Sequence, residues 1–517
     1  MLVSFKAMIV VVAIALVVFR FAKPIAVKFS SERDYTRRRN IWLVLTATAL
    51  LSPSFWLFVL IAAPLLLWAG KRDANPLALY LLLMQVIPDI PIEIPVVGIN
   101  RLFELDNYRL LSFCVLVPTV WRLRKQKNPV EVQGLGAMSI LLLAYGALQV
   151  ALFVPIDIPG QPLDQQTMTD NVRRGCLFLV DTYVLFVAAS RTCVTRQAIT
   201  EALAMFCLAC VEMAPVALFE SLRHWLLYFD LSGRWGSMGV ATAYYMRGDT
   251  TRAAVSAGHP LILGYMMAIA FGFWLYLKSH VKSKRFRVIV AALLSLGLLV
   301  AYGRGPWLGA VVIYFTYAAV GPRGMSGLFK AAAVFVLVGA VVFASPVGDR
   351  IVRVLPFIGK SGDESLTYRQ RLAERSWEII QTHPYLGDQN ARAEMEDLRQ
   401  GEGIIDFVNT YLQVTLYYGF VGLALFLSII LMSLRKVYRT LKKFTRSDPD
   451  FALLGASLVA CIIGTLVMIA ASSFIGAYAQ LFYVLAGLAA AYANLGLSRQ
   501  PGIMTPQELS VAGRFHE

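Results

Sequence analysis

Residues 288–320 read VIVAALLSLGLLVAYGRGPWLGAVVIYFTYAAV, two apolar runs joined at Gly303-Arg304-Gly305-Pro306. Each run is close to the ~20 residues a helix needs to cross a hydrocarbon layer ~30 Å thick. Read this way, the joint is a tight turn between two antiparallel membrane helices, and Arg304 is at its tip. The flanking glycines would let the backbone turn and leave room for a bulky ligand, and Pro306 suits the first turn of the second helix.

The rest of the chain repeats the pattern. Comparable runs cover about 135–154, 174–190, 198–219, 259–277, 329–345, 408–433, 451–472 and 474–494. Upstream lie shorter or broken ones at 1–20, 41–69 (interrupted at Ser52-Pro53-Ser54), 77–87 and 108–121. A composition of 58% hydrophobic against 15% charged residues, with mean hydropathy +0.62, excludes a soluble globule. The fold class expected is all-α: a polytopic transmembrane helical bundle of about 12–14 spans with one large, partly helical outer loop. The run near the N-terminus is followed by Arg-Phe-Ala-Lys-Pro rather than a small-residue cleavage site, so it reads as an uncleaved membrane segment. The six cysteines lie mostly inside apolar runs and read as packing residues, with no ligand set for a metal.

The net charge of +16 would suggest nucleic acid in a soluble protein. Here the cations cluster between apolar runs, at 33–39, 122–127, 278–287 and 435–446, which is the positive-inside pattern of a membrane protein and calls for no nucleic acid. With those clusters on the cytoplasmic side, the connections 155–173, 220–258, 303–306 and 346–407 face outward. The first carries Asp157, Asp164 and Asp170. The second and fourth carry arginines against the topological bias, including Arg247 and Arg252, then Arg350, Arg353, Arg369, Arg371, Arg375, Arg392 and Arg399. An anionic ligand on the outer face would explain them.

Within the last loop, SLTYRQRLAERSWEIIQTHP places Leu372, Trp377/Ile379 and Ile380 at helical spacing, and Pro384 and Gly387 end the helix. It reads as an amphipathic helix along the outer membrane boundary. The chain divides into 1–130, of unassigned role; a membrane core, 131–345, with arginine loops; the outer loop 346–407; membrane helices 408–494; and a cytoplasmic tail, 495–517.

For each candidate a functional and a structural reading stand side by side. Arg304 could fork onto phosphate oxygens or snorkel to headgroups. His259, in Gly258-His259-Pro260, could exchange a proton or hydrogen bond with a ligand held by Arg247 or Arg252, or it could cap a helix. Arg369 and Arg371 suit either a ligand or a headgroup layer. Asp406 could be a base or a cap, and Asn409 one turn inside the membrane suggests a polar cavity. The chain has no P-loop, His-Glu-x-x-His box or nucleophile elbow. Neither a cofactor nor a metal is indicated. What remains is chemistry on an activated, phosphate-bearing substrate, with fixed cations taking the leaving-group charge.

The ordered set of motifs resembles the O-antigen ligase and O-antigen polymerase superfamily of bacterial inner-membrane glycosyltransferases, especially exopolysaccharide-polymerase-like members. The resemblance rests on R-(x4)-R-(x6)-HPLILGY at 247–265, GRGPW at 303–307, YRxRL…IIxxHPYLG at 368–387 and GEGIIDFVNTYLQVTLYYGFVGLALF at 401–426, and spans about 135–435. It implies metal-independent, inverting transfer of a glycan from undecaprenyl diphosphate to an acceptor glycan on the periplasmic side. Chain-length regulators and export proteins would be partners beside the membrane lipids. By the resemblance, Arg247 or Arg252 and Arg304 would hold the diphosphate. Arg369 would close the site, with Tyr368, Arg371, His259 and Asn409 as further binding residues. Many ligases carry His-Asn where this chain has Val408-Asn409, and Ser-Arg where it has Gly303-Arg304. The missing histidine favours polymerase over ligase and makes Asp406 the substitute base. A transporter or flippase of lipid-linked oligosaccharide is the alternative, but the single large outer loop breaks the two-fold symmetry such proteins often show.

Overall fold

The computed structural model describes all residues except 1, 95–103, 126–134, 153–167, 237–244, 248–249, 344–362, 400–404, 475 and 499–517. The expectations for Asp157, Asp164, Arg350, Arg353 and most of the tail lie outside the described residues. The chain runs through α1 (Leu2–Phe29), α2 (Glu32–Leu51), α3 (Phe55–Arg72), α4 (Pro76–Leu83), and α5 (Asn107–Leu111), which continues through a π-helical turn into α6 (Val117–Arg124). Next come α7 (Leu135–Ala151), α8 (Met168–Phe178), which passes through a second π-helical stretch into α9 (Leu185–Thr192), α10 (Arg196–Arg223) and α11 (Phe229–Arg234). The C-terminal half holds α12 (Pro260–Leu277), α13 (Lys284–Val300), α14 (Arg304–Val320), α15 (Gly324–Phe343), α16 (Asp363–Thr382), α17 (Thr410–Phe444), α18 (Pro449–Ile469) and α19 (Ala477–Ser498). Four two-residue strands form two small antiparallel pairs, Ile92–Glu93 with Glu104–Leu105 and Met246–Arg247 with Thr250–Thr251.

The protein is therefore an all-α polytopic membrane bundle. Among the described residues seven helices are long and apolar enough to cross a membrane: α1, α3, α10, α12, α17, α18 and α19. Other runs counted in the sequence fold as α7, α13 and α14, 17 residues each, as α15, and as α2, whose first half is charged.

Two ends can be told apart by their contacts. At one end Arg38, fully buried, forks onto Asp73 and reaches Glu201 at 2.8 Å, which ties α2, the α3–α4 joint and α10 together. Gln197 Nε2 donates to Phe29 O at 2.6 Å, Arg196 pairs with Asp448 at 3.4 Å, and His280 lies 3.3 Å from Asp450. The basic clusters 33–39, 278–287 and 435–446 thus share an end, as their spacing requires. Side-chain caps start the helices there: Ser31 on α2, Asn75 on α4, Thr195 on α10, Ser283 on α13 and Asp448 on α18.

At the centre of the bundle α12 is buried between α10, α13, α14 and α18. Lipid-embedded helices gain little from hydrophobicity against one another, so close approach of small residues carries the packing. Gly272 of α12, Gly309 of α14 and Gly464 of α18 each sit where a Cβ would strike a side chain of the facing helix, Cys461, Met468 and Ile313 respectively. A Cβ on Gly264 would come within 2.9 Å of Pro306, so the same packing seats the Arg304 turn on the first turns of α12.

The outer loop has its own small core. Leu372, Ile379 and Ile380 of α16 bury against Ala391, Met395, Leu398, Ile405, Phe407, Leu416 and Tyr417. The helix expected over 366–382 is present, but its apolar face packs on the loop and on the start of α17 rather than along the membrane boundary. Trp377 is 54% exposed and lies off that face, because the buried stripe is 372, 376, 379 and 380. The loop enters a break in α17 at Gly419 (φ 61°, ψ −167°). There Phe420 N donates to Pro384 O (2.8 Å), Val421 N to Tyr385 O (3.2 Å) and Asp388 N to Leu416 O (2.8 Å). The backbone groups freed by the break are thus satisfied by the loop.

Candidate functional site

The site forms at the end opposite the basic clusters, around the turn after α13. Ala301 is buried and Tyr302 adopts φ 47°, a left-handed conformation that a non-glycine residue takes at a cost. Neither glycine of the GRG motif supplies the positive φ: Gly303 has φ −100° and Gly305 is helical. Gly303 is instead needed for proximity, since a Cβ there would lie 3.1 Å from Pro306 Cδ. Arg304 is the first residue of α14, whose N-cap Gly303 offers no side-chain hydrogen bond. A cation at the positive end of a helix dipole is unfavourable by itself. Uncapped amides beside a guanidinium are groups that can bind an anion.

One flank of this turn is the 245–259 segment. Arg252 Nε donates to Ala301 O at 3.2 Å, Arg252 N to Tyr245 O at 2.8 Å, and Ala253 N to Val300 O at 3.1 Å. Glu220, buried near the end of α10, holds this segment down by accepting from Ala254 N (3.1 Å) and Val255 N (2.9 Å), and from Leu227 N at 2.9 Å on its other oxygen. Arg247 is in the strand pair, opposite Thr250. His259 is the N-cap of α12, its Nδ1 accepting from Leu261 N at 3.2 Å. That bond requires Nδ1 to be unprotonated, so the ring is neutral with its proton on Nε2. Burial, with a smaller push from Arg252, lowers the imidazole pKa to about 4. The structural role weighed for His259 is thus present, with the ring proton on Nε2.

The other flank comes from the outer loop and from the α18–α19 connection. Arg369 on α16 donates from Nη2 to Ala471 O at 3.3 Å. Its pKa is lowered by desolvation, held up by Asp406 and pushed down by Arg304, so Arg369 feels both charges. Asp406 does not cap a helix: its Oδ1 accepts from Ser473 Oγ (2.6 Å) and from Val408 N (3.2 Å). Tyr368 OH donates to the Asp406 carbonyl oxygen at 3.0 Å. Thr410 Oγ1 donates to Ser472 O at 2.9 Å and pins the start of α17 to the same connection. Asn409 is the N-cap of α17, accepting from Tyr411 N and Leu412 N at 3.0 and 3.2 Å, so helix capping explains this half-buried polar group. Arg371 is exposed, pairs with Asp397 at 3.3 Å, and is outside the Arg304–Arg369–Asp406 group.

Sequence reasoning missed Ser473, Ala471, Tyr302 and Glu220. The only signal for the first was the Ser472-Ser473 pair between two apolar runs. Glu220 is a carboxylate inside a helix of mostly apolar residues, a placement costly enough in a membrane to mark a functional or positioning residue.

These features define a multi-pass helical membrane protein with arginines from three segments gathered at one end of the bundle. Residues 289–427 match the family model described as O-Antigen ligase. Over that stretch the chain is similar to the O-antigen ligase family. The matched stretch contains Arg304, Tyr368, Arg369, Arg371, Asp406 and Asn409, and begins after Arg247, Arg252 and His259. No curated protein gives a significant match to the chain.

Proposed function

We propose that the protein is an inner-membrane glycosyltransferase that polymerises undecaprenyl-diphosphate-linked glycan repeats at a periplasm-facing site, by inversion and without a metal. The observation that carries this reading is that the 471–473 connection gathers the charged groups: Ala471 packs against Gly305 beside Arg304 at the uncapped N-terminus of α14, its carbonyl accepts from Arg369 of the loop, and Ser473 donates to Asp406. An electrostatic arrangement so rich in positive charge at one point favours a dianionic or more highly charged ligand.

In the reaction the acceptor hydroxyl oxygen attacks the anomeric carbon from the face opposite the diphosphate. The carbon–oxygen bond to the diphosphate breaks, its electron pair stays on the phosphate oxygen, and the hydroxyl proton passes to Asp406. Asp406 Oδ1 is engaged by Ser473 and Val408, which orients Oδ2 as the accepting oxygen. Negative charge grows on the leaving phosphate, and Arg304, Arg252 and Arg369, already positioned, stabilise it more than they stabilise the bound donor. Tyr368 fixes the Asp406 backbone, and His259 Nε2–H donates to a donor oxygen.

Reconstitution of the purified protein into vesicles with a labelled undecaprenyl-diphosphate oligosaccharide tests this. Products lengthened by whole repeats support polymerase. Transfer only onto a lipid A-type acceptor replaces polymerase by ligase. Movement of the label across the bilayer without transfer replaces the enzyme by a transporter.

A further inference from the structure

The first 130 residues have no place in the reaction above, yet they form a second feature that can hold a ligand. α2 and α3 are joined at Ser52–Ser54 and separate toward the opposite, basic end, leaving a groove of about 830 Å³ between the first turns of α2 and the last turns of α3. Its lining is graded along the helices. Glu32, Arg33, Arg37 and Arg72 line the end, with the Glu32 carboxylate paired to Lys23 at 2.6 Å, whereas Ile41, Val44 and Leu65 line the part that runs toward the bilayer. From Arg33 to Val44 the gradient covers roughly 16 Å of helix.

The cations are not equivalent. Arg37 pairs with Asp34 and, at 3.0 Å, with Asp73, so its charge is neutralised within the groove floor. Arg33 is exposed and forms no ion pair among the described residues. Arg72 is also exposed, and its guanidinium sits 5.0 Å from the Trp68 ring centre, a cation–π contact. Val44 and Trp68 are 46% and 43% exposed, so the apolar part of the groove is open to a chain lying against it. Two unspent cations above an open apolar channel complement an amphiphile with an acidic head.

We propose that this groove binds an acidic glycerophospholipid of the leaflet on the basic-cluster side, its phosphate between Arg33 and Arg72 and one acyl chain along Val44 and Leu65. The site is independent of the glycosyl-transfer reading. The groove floor is fastened through Asp73 and Arg38 to Glu201 of α10. Occupancy therefore braces the N-terminal hairpin against the central bundle, in the way juxtamembrane basic pockets use anionic headgroups.

The test uses the full chain in detergent, with phosphatidylglycerol, phosphatidylcholine or inorganic phosphate added, and reads bound lipid by native mass spectrometry and the unfolding temperature. Phosphatidylglycerol should stay bound and raise the unfolding temperature, with phosphatidylcholine and inorganic phosphate giving little. The Arg33→Gln/Arg72→Gln double variant, exposed at both positions, should fold normally and lose at least tenfold in phosphatidylglycerol affinity. Val44→Trp, which fills the channel without changing charge, should weaken the same lipid. Arg285→Gln/Arg287→Gln, in another basic cluster, should leave it unchanged. Equal responses to both lipids, full binding by the double variant, or inorganic phosphate matching phosphatidylglycerol would each overturn the proposal.

Discussion

Gly419→Ala should undock the outer loop from the bundle while leaving the membrane helices in place. Gly419 has φ 61° and ψ −167°, a region held almost only by glycine, and an added Cβ would overlap the Tyr385 carbonyl. Backbone strain of this kind costs of order 1–3 kcal/mol. Relieving the overlap would also pull apart hydrogen bonds from Phe420 N, Val421 N and Asp388 N, each contributing about 1 kcal/mol net. Together these come to about 4–6 kcal/mol against docking, roughly a thousandfold or more in the docking equilibrium. Gly387 (φ 70°) faces the same crossing from the loop side, so Gly387→Ala should act alike. Limited proteolysis of the vesicle-embedded protein would follow cleavage within 363–399, and transfer activity would be measured alongside. The variant should be cut faster there and lose most of its activity, because Arg369 and Tyr368 ride on α16. A Gly419→Ala protein with native protease resistance and native turnover would refute the reasoning.

Three further outcomes follow from single groups. For His259 the folded-state pKa is about 4 against about 6.5 unfolded, so the unfolded chain takes up the proton first. Its contribution is complete above pH 6.5 and declines as pH falls to 4, by at most about 3 kcal/mol. Melting curves should show a shallower loss over that window in His259→Asn, which keeps a cap but cannot titrate. Arg38→Gln should leave the Glu201 carboxylate without its cation and Asp73 with Arg37 alone, and destabilise by about 3 kcal/mol; heat-induced aggregation in detergent would report it. Asp406→Asn should abolish transfer, whereas Ser473→Ala should lower the rate with little change in KM, since it removes only the group that orients the carboxylate. Equal loss in KM alone for both would deny Asp406 its chemical role.

Much of the bundle was legible because apolar length and charge asymmetry are local properties. The break at Ser52–Ser54, the GRGPW turn and the shared end of the basic clusters all follow from them. Local signals do not report which loop covers an apolar stripe, and so α16 could be found but its burial against Phe407 and Leu416 could not. The same limit applies to the site. Arg304, Arg369 and Asp406 stood out as charges against the topological bias or at a membrane boundary. Ser473, which lies close to Asp406 across 67 residues of sequence, is an ordinary serine until the fold brings the two together. Asn409 shows the converse, a polar residue at a conspicuous position whose side chain caps α17.

The most direct measurement compares Arg304→Ala and Arg304→Lys with the parent protein in vesicles, following whole-repeat extension of a labelled lipid-diphosphate donor. Loss of one preorganised donor to a leaving-group charge costs roughly 2–4 kcal/mol, or a rate loss of about 10²–10³. The alanine variant should insert and melt normally, retain the labelled donor weakly and extend it at that reduced rate, with lysine recovering part of the loss. Extension at the parental rate by Arg304→Ala would contradict the proposed role of the α14 N-terminus as the diphosphate site.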